Sequence, residues 1–355
     1  MKKNHNFFLD LAFQIAEKNL GKTKLNPSVG AVVVKNNSVI SSAGTSLNGR
    51  PHAEYNALKK KFSFKGADLY TTLEPCTHFG LTPPCVNIII KKKISNVYYA
   101  SEDPDVRTYK KARKILKMNN INSKLILNKN FNNFYSSYFI NKNYKIPYIS
   151  AKIAISKDFF TINKKSKWIT GIESKRITYL LRSQNDCIIS TSKTINKDNS
   201  LLNSRIDGLN NYKPDLFIID LNLKLQKNLS LISLANLRKT FLITKIKDKK
   251  KINYFKKKGF KIIFIESLNS KNDFKEMFQK LYKLGYRRAF FESGLTFLNI
   301  LIDYKFLNEL YVFQNNINLK KNGCNNSSSK YLKNIKLNKK IKVNLNNDSL
   351  YRKEF

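Results

Sequence analysis

A short cysteine-containing segment constrains this chain more than any other feature. It reads LEPCTHFGLTPPC over residues 73–85, and the triplet His52-Ala53-Glu54 lies upstream of it. One imidazole and two thiols are a usual ligand set for a catalytic zinc ion, which takes three protein ligands and keeps its fourth tetrahedral position for water. The sequence therefore predicts a Zn²⁺ site at His52, Cys76 and Cys85, and a fold that brings these segments together.

Glu54 is predicted to carry protons at this site without binding the metal. Zinc lowers the pKa of bound water from about 15.7 to about 7, which makes hydroxide available at neutral pH. A nearby carboxylate can take the proton of that water and pass it to a ring nitrogen and then to departing ammonia. An H-x-E motif followed by Pro-Cys and a second cysteine is known from zinc-dependent nucleobase deaminases. The motif thus indicates hydrolytic deamination of an aminopyrimidine-like ring.

Three other interpretations of the same residues are open at this stage. The cysteines and His52 could be unrelated residues, although Pro75 and Pro84 each directly precede a cysteine and the chain has only three histidines. His78 could be a fourth ligand. A site with four protein ligands would be structural instead of catalytic, and Glu54 would then have no role in any activity.

Composition narrows the class of protein. Lys and Arg number 66 against 24 Asp and Glu, a formal charge of +42 over 355 residues. The lysines are spread over the whole chain without a basic stripe interleaved with aromatic residues, so the charge favours anionic, phosphorylated substrates over a nucleic-acid partner.

Cys187 and Cys324 are expected to be ordinary reduced thiols. No apolar run approaches the roughly 18 residues of a membrane span, and the start lacks an apolar segment of signal length. The sequence predicts a soluble, cytoplasmic protein with no membrane partner and leaves room for a homo-oligomer.

The order of predicted elements indicates an α/β fold with two domains. A helix and a hairpin are followed by alternating helices and strands, a pattern typical of a sheet covered by helices. A polar, asparagine-rich segment interrupts this pattern, after which the alternation resumes. The predicted domains are therefore residues 1–127 and 147–355, joined by a linker at 128–146. The Lys- and Asn-rich last forty residues are expected to be partly mobile.

The motifs of both halves resemble one enzyme family. Residues 26–30 (NPSVG), the His52-Ala53-Glu54 triplet and residues 72–85 resemble the bifunctional riboflavin-biosynthesis deaminase-reductases. Eight residues separate the two cysteines, whereas nucleic-acid deaminases of this fold usually have two. Residues 166–171, 181–182, 194–205 and 291–294 are similar to the reductase domain of that family. The resemblance implies a cytidine-deaminase-like domain followed by a dihydrofolate-reductase-like domain.

The resemblance also implies two reactions and their residues. The family deaminates 2,5-diamino-6-(5-phosphoribosylamino)pyrimidin-4(3H)-one and then reduces the ribosyl side chain to ribityl with NADPH. Carried over by motif, the substrate-binding residues of the reductase are Ser166, Arg182, Leu202, Arg205 and Glu292. The NADPH-binding residues are Ala154, Trp168, Thr194, Asp198 and the turn formed by Gly294, Leu295, Thr296, Phe297, Leu298, Asn299 and Ile300.

Some residues depart from the family pattern. Leu81 stands where the family usually has Arg or Lys, while Phe159 and Ser190 stand where it usually has glycine. Two alternative hypotheses follow: a deaminase whose reductase domain has decayed, and, from the high positive charge, a zinc deaminase that acts on nucleic acid.

Overall fold

The computed structural model describes residues 4–127, 133–206, 208, 214–337 and 339–355. The chain divides into two compact units, Met1–Lys145 and Ile146–Phe355. Each unit has its own sheet, and each is described here separately.

The first unit contains a five-stranded sheet. Its elements are α1 (His5–Glu17), β1 (Gly30–Lys35), β2 (Ser38–Gly44), α2 (Ala53–Leu58), β3 (Asp68–Thr71), α3 (Cys85–Lys91), β4 (Asn96–Tyr99), α4 (Ala112–Met118), β5 (Asn122–Leu125) and α5 (Ser136–Tyr144). The strand order is β2-β1-β3-β4-β5. The β1–β2 and β1–β3 pairs are antiparallel, whereas β3, β4 and β5 run parallel. The carboxyl ends of β3, β4 and β5 therefore lie at the same end of the sheet.

Helix α1 packs tightly on this sheet because of its apolar spacing and one glycine. Phe8, Leu9, Ala12, Phe13 and Ala16 are buried at helical spacing, as expected for an amphipathic helix. A Cβ on Gly30 would lie 1.8 Å from the Ala12 carbonyl oxygen. Only glycine therefore allows α1 and β1 to approach this closely.

The second unit contains a nine-stranded sheet. Its elements are β6 (Tyr148–Ile155), β7 (Ile162–Asn163), α6 (Ile172–Ser183), β8 (Cys187–Thr191), α7 (Ser192–Asp198), β9 (Asp215–Ile219), α8 (Ser230–Ser233), β10 (Thr240–Thr244), α9 (Lys249–Lys257), β11 (Phe260–Phe264), α10 (Lys271–Lys283), β12 (Arg288–Phe291), α11 (Leu295–Asp303), β13 (Glu309–Asn315), β14 (Gly323–Cys324), α12 (Lys330–Asn334), β15 (Lys340–Ile341) and β16 (Asp348–Glu354). The strand order is β11-β10-β9-β8-β12-β6-β13-β16-β15, and β7 pairs with β14 apart from this sheet.

The large sheet is apolar on both faces over its parallel strands. Alternate residues of a strand point to opposite faces. Ile188, Ile218 and Leu242 belong to one apolar core, whereas their neighbours Ile189 and Phe217 belong to another. Buried faces on both sides explain why the parallel strands are continuous runs of Ile, Leu and Phe.

The C-terminal segment, which the sequence predicts to be partly mobile, contains a strand of the large sheet. Strand β16 pairs antiparallel with β13 over seven residues, from Glu309↔Glu354 to Asn315↔Asp348. Leu350 is buried in a small core with Leu181, Phe290, Phe313 and Leu345. Lysines and asparagines surround this strand in the sequence, but Leu345 and Leu350 bury enough apolar surface to fix it.

The predicted linker at 128–146 also differs from the structure. Residues 128–132 lie outside the described residues, but α5 occupies most of the remainder. Tyr135 is buried in the core of the first unit, and Phe134, Tyr138 and Phe139 pack against that core. Residues 133–145 are thus part of the first unit because their aromatic side chains recur at helical spacing among the asparagines.

Among the residues described, the helices are too short or too polar to cross a membrane.

Replacement of Leu350 by alanine should destabilise the second unit by about 2–4 kcal/mol, since Leu→Ala changes in well-packed cores cost about 2–5 kcal/mol. Urea denaturation followed by fluorescence and circular dichroism would measure the change. Asn347→Ala is the matched control, because Asn347 is exposed in the same segment. A loss below about 0.5 kcal/mol, the usual range for surface substitutions, would show that β16 does not stabilise the sheet.

Candidate metal centre and reductase site

Three chain segments meet at the predicted metal site. His52 is the N-cap of α2, and Cys85 is the first residue of α3. Cys76 lies in the loop after β3. Two hydrogen bonds tie this loop to its surroundings: Thr72 Oγ1 accepts the N–H of Gly30 at the start of β1, and Glu74 N–H donates to the carbonyl oxygen of Ser101, just after β4. The sheet therefore holds Cys76 in place while the two helices present His52 and Cys85.

The ligand atoms have the spacing of a tetrahedral zinc site. His52 Nδ1 lies 3.6 Å from Cys76 Sγ and 3.4 Å from Cys85 Sγ, and the three ligand atoms lie within 4.8 Å of one another. Zn–S bonds of about 2.3 Å and Zn–N bonds of about 2.0–2.1 Å at tetrahedral angles place N and S about 3.5–3.6 Å apart. The residues present thus fit a zinc ion bound through Nδ1.

The two thiols differ in their electrostatics. The Cys85 thiol, which donates to Cys76, lowers the pKa of Cys76 well below its ordinary value. The Cys85 N–H also donates to Cys76 Sγ at 3.2 Å. The pKa of Cys85 is raised because the bond with Cys76 and burial both favour its protonated form. One sulfur is therefore prepared as a thiolate, the form that binds metal.

Glu54 is placed for proton transfer. It lies in the first turn of α2 and is only 3% exposed. Burial raises the pKa of Glu54 to about 7, and the Cys76 thiolate adds to this effect. A general acid–base works best when its pKa is near the operating pH. This pKa is compatible with the role of proton carrier, which stays a prediction for Glu54.

His78 does not join the metal cluster. Its Nδ1 lies 3.1 Å from Thr108 Oγ1, and Thr77 Oγ1 donates to Arg107 O. Glu74 holds the same 102–112 loop by accepting the N–H groups of Asp103, Lys110 and Ala112. His78 thus helps to attach the cysteine loop to its neighbour, and it is not among the residues whose ligand atoms lie within 4.8 Å of one another.

In the second unit, Arg182 and Glu292 form a buried bidentate ion pair. Arg182 Nε and Nη2 donate to the two Glu292 oxygens at 2.5 and 3.0 Å. Arg182 Nη1 donates to Asn203 O at 2.7 Å. Burial alone would raise the pKa of Glu292, but the charge and hydrogen bonds of Arg182 outweigh it, so this pKa is lowered. The two residues form one charged unit next to the loop that carries Leu202 and Arg205.

Lys152 is a further charged residue of this region, which sequence motifs did not identify. Phe291 pairs with Ala151 in the parallel β12–β6 ladder, so Glu292 follows alongside Lys152. Desolvation lowers the pKa of Lys152, and the charge of Glu292 opposes this. Lys152 and Ala154 share one face of β6 because they are two residues apart. The signal available in the sequence was a single cation inside the otherwise uncharged strand YISAKIAI.

Comparison with known families identifies both halves. Residues 2–101 match the model of the cytidine and deoxycytidylate deaminase zinc-binding region, and residues 147–319 match the RibD C-terminal domain. The chain is 32% identical over 310 residues to the riboflavin biosynthesis protein RibD of Aquifex aeolicus, covering 86% of this chain and 85% of that protein. It is 31% identical over 324 residues to RibD of Buchnera aphidicola subsp. Baizongia pistaciae, covering 86% of each chain.

The chain belongs to the RibD family of riboflavin biosynthesis proteins.

Solved structures show the same fold. RibD of Acinetobacter baumannii aligns with a TM-score of 0.82 at 23% identity, covering 98% of both chains. A Thermotoga maritima diaminohydroxyphosphoribosylaminopyrimidine deaminase/5-amino-6-(5-phosphoribosylamino)uracil reductase also aligns with a TM-score of 0.82, at 22% identity over 98% of this chain and 97% of that one. The predicted α/β fold, with a cytidine-deaminase-like domain before a reductase domain, is confirmed.

The predicted reductase residues of this RibD-family chain lie on several different elements. Ser166 and Trp168 lie between β7 and α6, where Trp168 is 52% exposed under the Lys175 ammonium. Thr194 and Asp198 lie on α7. Lys167 Nζ donates to Asp198 O at 2.9 Å, which brings the Trp168 segment and α7 together. Arg205 is exposed, and its Nε donates to Asn203 Oδ1 at 3.3 Å.

Some predicted residues have side chains that are buried in the core. Leu202, Leu295 and Leu298 are at most 5% exposed and pack in apolar clusters. Gly294 is the N-cap of α11, so the 294–300 turn presents backbone N–H groups at a helix start. Any cofactor contact of Leu295 or Leu298 would therefore involve the backbone.

Cys76 is one of the three predicted zinc ligands. Cys76→Ser should weaken zinc affinity by more than about 100-fold, since changes to residues that merely support ligands already cost about 10- to 100-fold. Zinc content after dialysis, measured by atomic absorption, would check this. Cys324→Ser in the second unit is the matched control and should retain its zinc. Full zinc in Cys76→Ser would contradict the ligand assignment.

Proposed function

We propose that the chain is a bifunctional enzyme of riboflavin biosynthesis. It deaminates 2,5-diamino-6-(5-phosphoribosylamino)pyrimidin-4(3H)-one and then reduces the ribosyl side chain of the product with NADPH. The observation that carries this proposal is the His52–Cys76–Cys85 cluster beside a buried Glu54, in a chain whose second unit is a RibD C-terminal domain. The cytoplasmic location and the lack of a nucleic-acid partner stay predictions from the sequence.

In the deaminase unit, His52, Cys76 and Cys85 hold zinc and Glu54 moves protons. The ion, when bound, lowers the pKa of water to about 7 and so supplies a nucleophile at neutral pH. Glu54 accepts the proton of that water, since its carboxyl lies in the first turn of the helix capped by His52. It would then deliver this proton to the ring nitrogen. A second proton, taken by Glu54 from the hydroxyl group added to the ring, would go to the amino group, which leaves as ammonia while the ring carbon becomes a carbonyl. A group with a pKa near 7 can do both at neutral pH.

In the reductase unit, the charged groups around Glu292 bind and orient the substrate. Arg182 fixes the Glu292 carboxylate by two hydrogen bonds, which leaves Lys152 beside it as a donor toward the ribosyl hydroxyls. Ser166 and Leu202 flank the substrate, and Arg205 binds its phosphate through charge-assisted hydrogen bonds. NADPH, when bound, supplies the hydride. Ala154, Trp168, Thr194, Asp198 and residues 294–300 hold the cofactor, with the α11 N-terminus facing an anionic group.

A decayed reductase is the second candidate, and one backbone conformation favours it. Phe159 has φ +65° at a position where the family usually has glycine, a conformation that costs a bulky residue free energy. Ser190, the other such replacement, is well accommodated because its hydroxyl donates to Glu292 O at 2.6 Å. The Ser190 replacement thus adds a hydrogen bond to Glu292, and only the Phe159 replacement favours a decayed reductase.

A coupled assay separates these two candidates. The purified chain is supplied with zinc, the diaminopyrimidine substrate and NADPH, and ammonia release and NADPH absorbance are followed independently. We expect both signals. Ammonia without NADPH oxidation would mean a decayed reductase, and neither signal would overturn the proposed function.

Glu54→Gln should retain zinc but lose about 10²- to 10⁴-fold in the rate of ammonia release, the usual contribution of general acid–base catalysis. Reduction of supplied deaminated intermediate should be unchanged. Glu17→Gln is the control, because Glu17 is an exposed carboxyl of the same unit. A Glu54→Gln protein of normal deaminase rate would show that the metal site is structural.

Arg205→Ala should raise the reductase KM for the phosphorylated intermediate by about 10- to 100-fold, as expected for loss of a hydrogen-bonded charge pair, and leave ammonia release intact. Arg113→Ala, which removes an exposed arginine of the first unit, should change neither rate. An unaltered KM in Arg205→Ala would place the phosphate elsewhere.

A further inference from the structure

Arg50 packs against the loop that joins the two cysteines. It lies two residues before His52, and its Nη1 donates to Thr82 Oγ1 at 2.6 Å. Its Nη2 lies 3.2 Å from the position that a Cβ on Gly80 would take. The guanidinium is therefore fixed on residues 80–82, beside the metal centre.

This guanidinium has no carboxylate partner among the residues that the structure describes. Arg107, Arg182 and Arg352, by contrast, each bind an Asp or Glu. Guanidinium has five N–H donors, and the contact with Thr82 uses one of them. Arg50 thus keeps a charge and several donors available for an anion outside the protein.

The chemistry of the proposed substrate requires such a cation. The leaving amino group is at ring position 2, since the product is a uracil that keeps its 5-amino group. The phosphoribosylamino group is at position 6, which is separated from position 2 by one ring nitrogen. The ribosyl group separates the phosphate from the ring by several bonds, so the partner of the phosphate is a group outside the metal ligands. Arg50 is such a group, and it contacts the exposed part of the cysteine loop. Leu81, at the centre of that part, is 89% exposed and uncharged, so it offers no partner for a phosphate.

We propose that Arg50 binds the substrate phosphate during deamination and sets the preference of this site for phosphorylated pyrimidines. A planar guanidinium binds two phosphate oxygens at once, and the bond with Thr82 holds Arg50 in place for this. The assignment rests on the proposed deamination and adds a specificity-determining residue to it.

The test compares two substrates on one full-length, zinc-loaded enzyme. Initial rates of ammonia release are measured with the phosphorylated pyrimidine and with its dephosphorylated ribosyl form. Arg50→Ala should lose about 10- to 100-fold in kcat/KM for the phosphorylated substrate, mainly through KM, because the contact binds ground state and transition state alike. The value for the dephosphorylated form should stay the same. Arg50→Lys should recover part of the loss, since it keeps the charge without the fork.

Arg113→Ala is the control for a general loss of positive charge in this unit and should leave both values unchanged. Equal losses on both substrates, or loss of zinc from Arg50→Ala and Arg50→Lys, would overturn the assignment, because they would mean that Arg50 only supports the loop. An unchanged substrate preference would overturn it as well. A wild-type protein that releases no ammonia from either substrate would overturn the proposed deamination itself, and the role of Arg50 with it.

Discussion

The deaminase unit depends on keeping three ligand atoms within 4.8 Å of one another, although they come from segments far apart in the sequence. Thr72 and Glu74 tie the Cys76 loop to the sheet, while His52 and Cys85 are fixed at the starts of two helices. Burying an imidazole and two thiols close together costs free energy unless they bind a partner such as a cation, since buried polar groups need partners. Metal binding and the correct packing of this unit therefore support each other.

Both units bury a glutamate of a predicted site, and the surroundings give the two carboxyls opposite properties. Glu54 has no cationic partner that outweighs its burial, so its pKa rises to about 7 and it can exchange protons. Glu292 is bonded to Arg182 by both oxygens, so its pKa is lowered and it stays charged. The first arrangement suits a proton carrier, and the second suits a fixed anion that orients neighbouring groups.

Sequence motifs were enough for the metal centre because the chemistry dictates residue types and spacing. They did not identify Lys152 or Arg50, whose importance comes from neighbours distant in the chain: Glu292 for the first and Thr82 for the second. The same limit applies to two segments of the fold. Tyr135 and Phe139 make a helix of an asparagine-rich segment, and Leu350 anchors a strand among lysines, but composition alone suggested a linker and a mobile end. These elements form because of the residues they pack against, and a local sequence pattern does not reveal those residues.

The pairing of β16 with β13 also determines what the large sheet presents to other molecules. Without β16, the backbone groups on one side of β13 would be unpaired over seven residues, a template for strands of other chains. The sheet instead ends in the two-residue strand β15 and the charged residues Arg352 and Lys353. Short, charged edge strands resist intermolecular pairing. The lysine-rich segment thus covers the edge of β13 as well as completing the sheet.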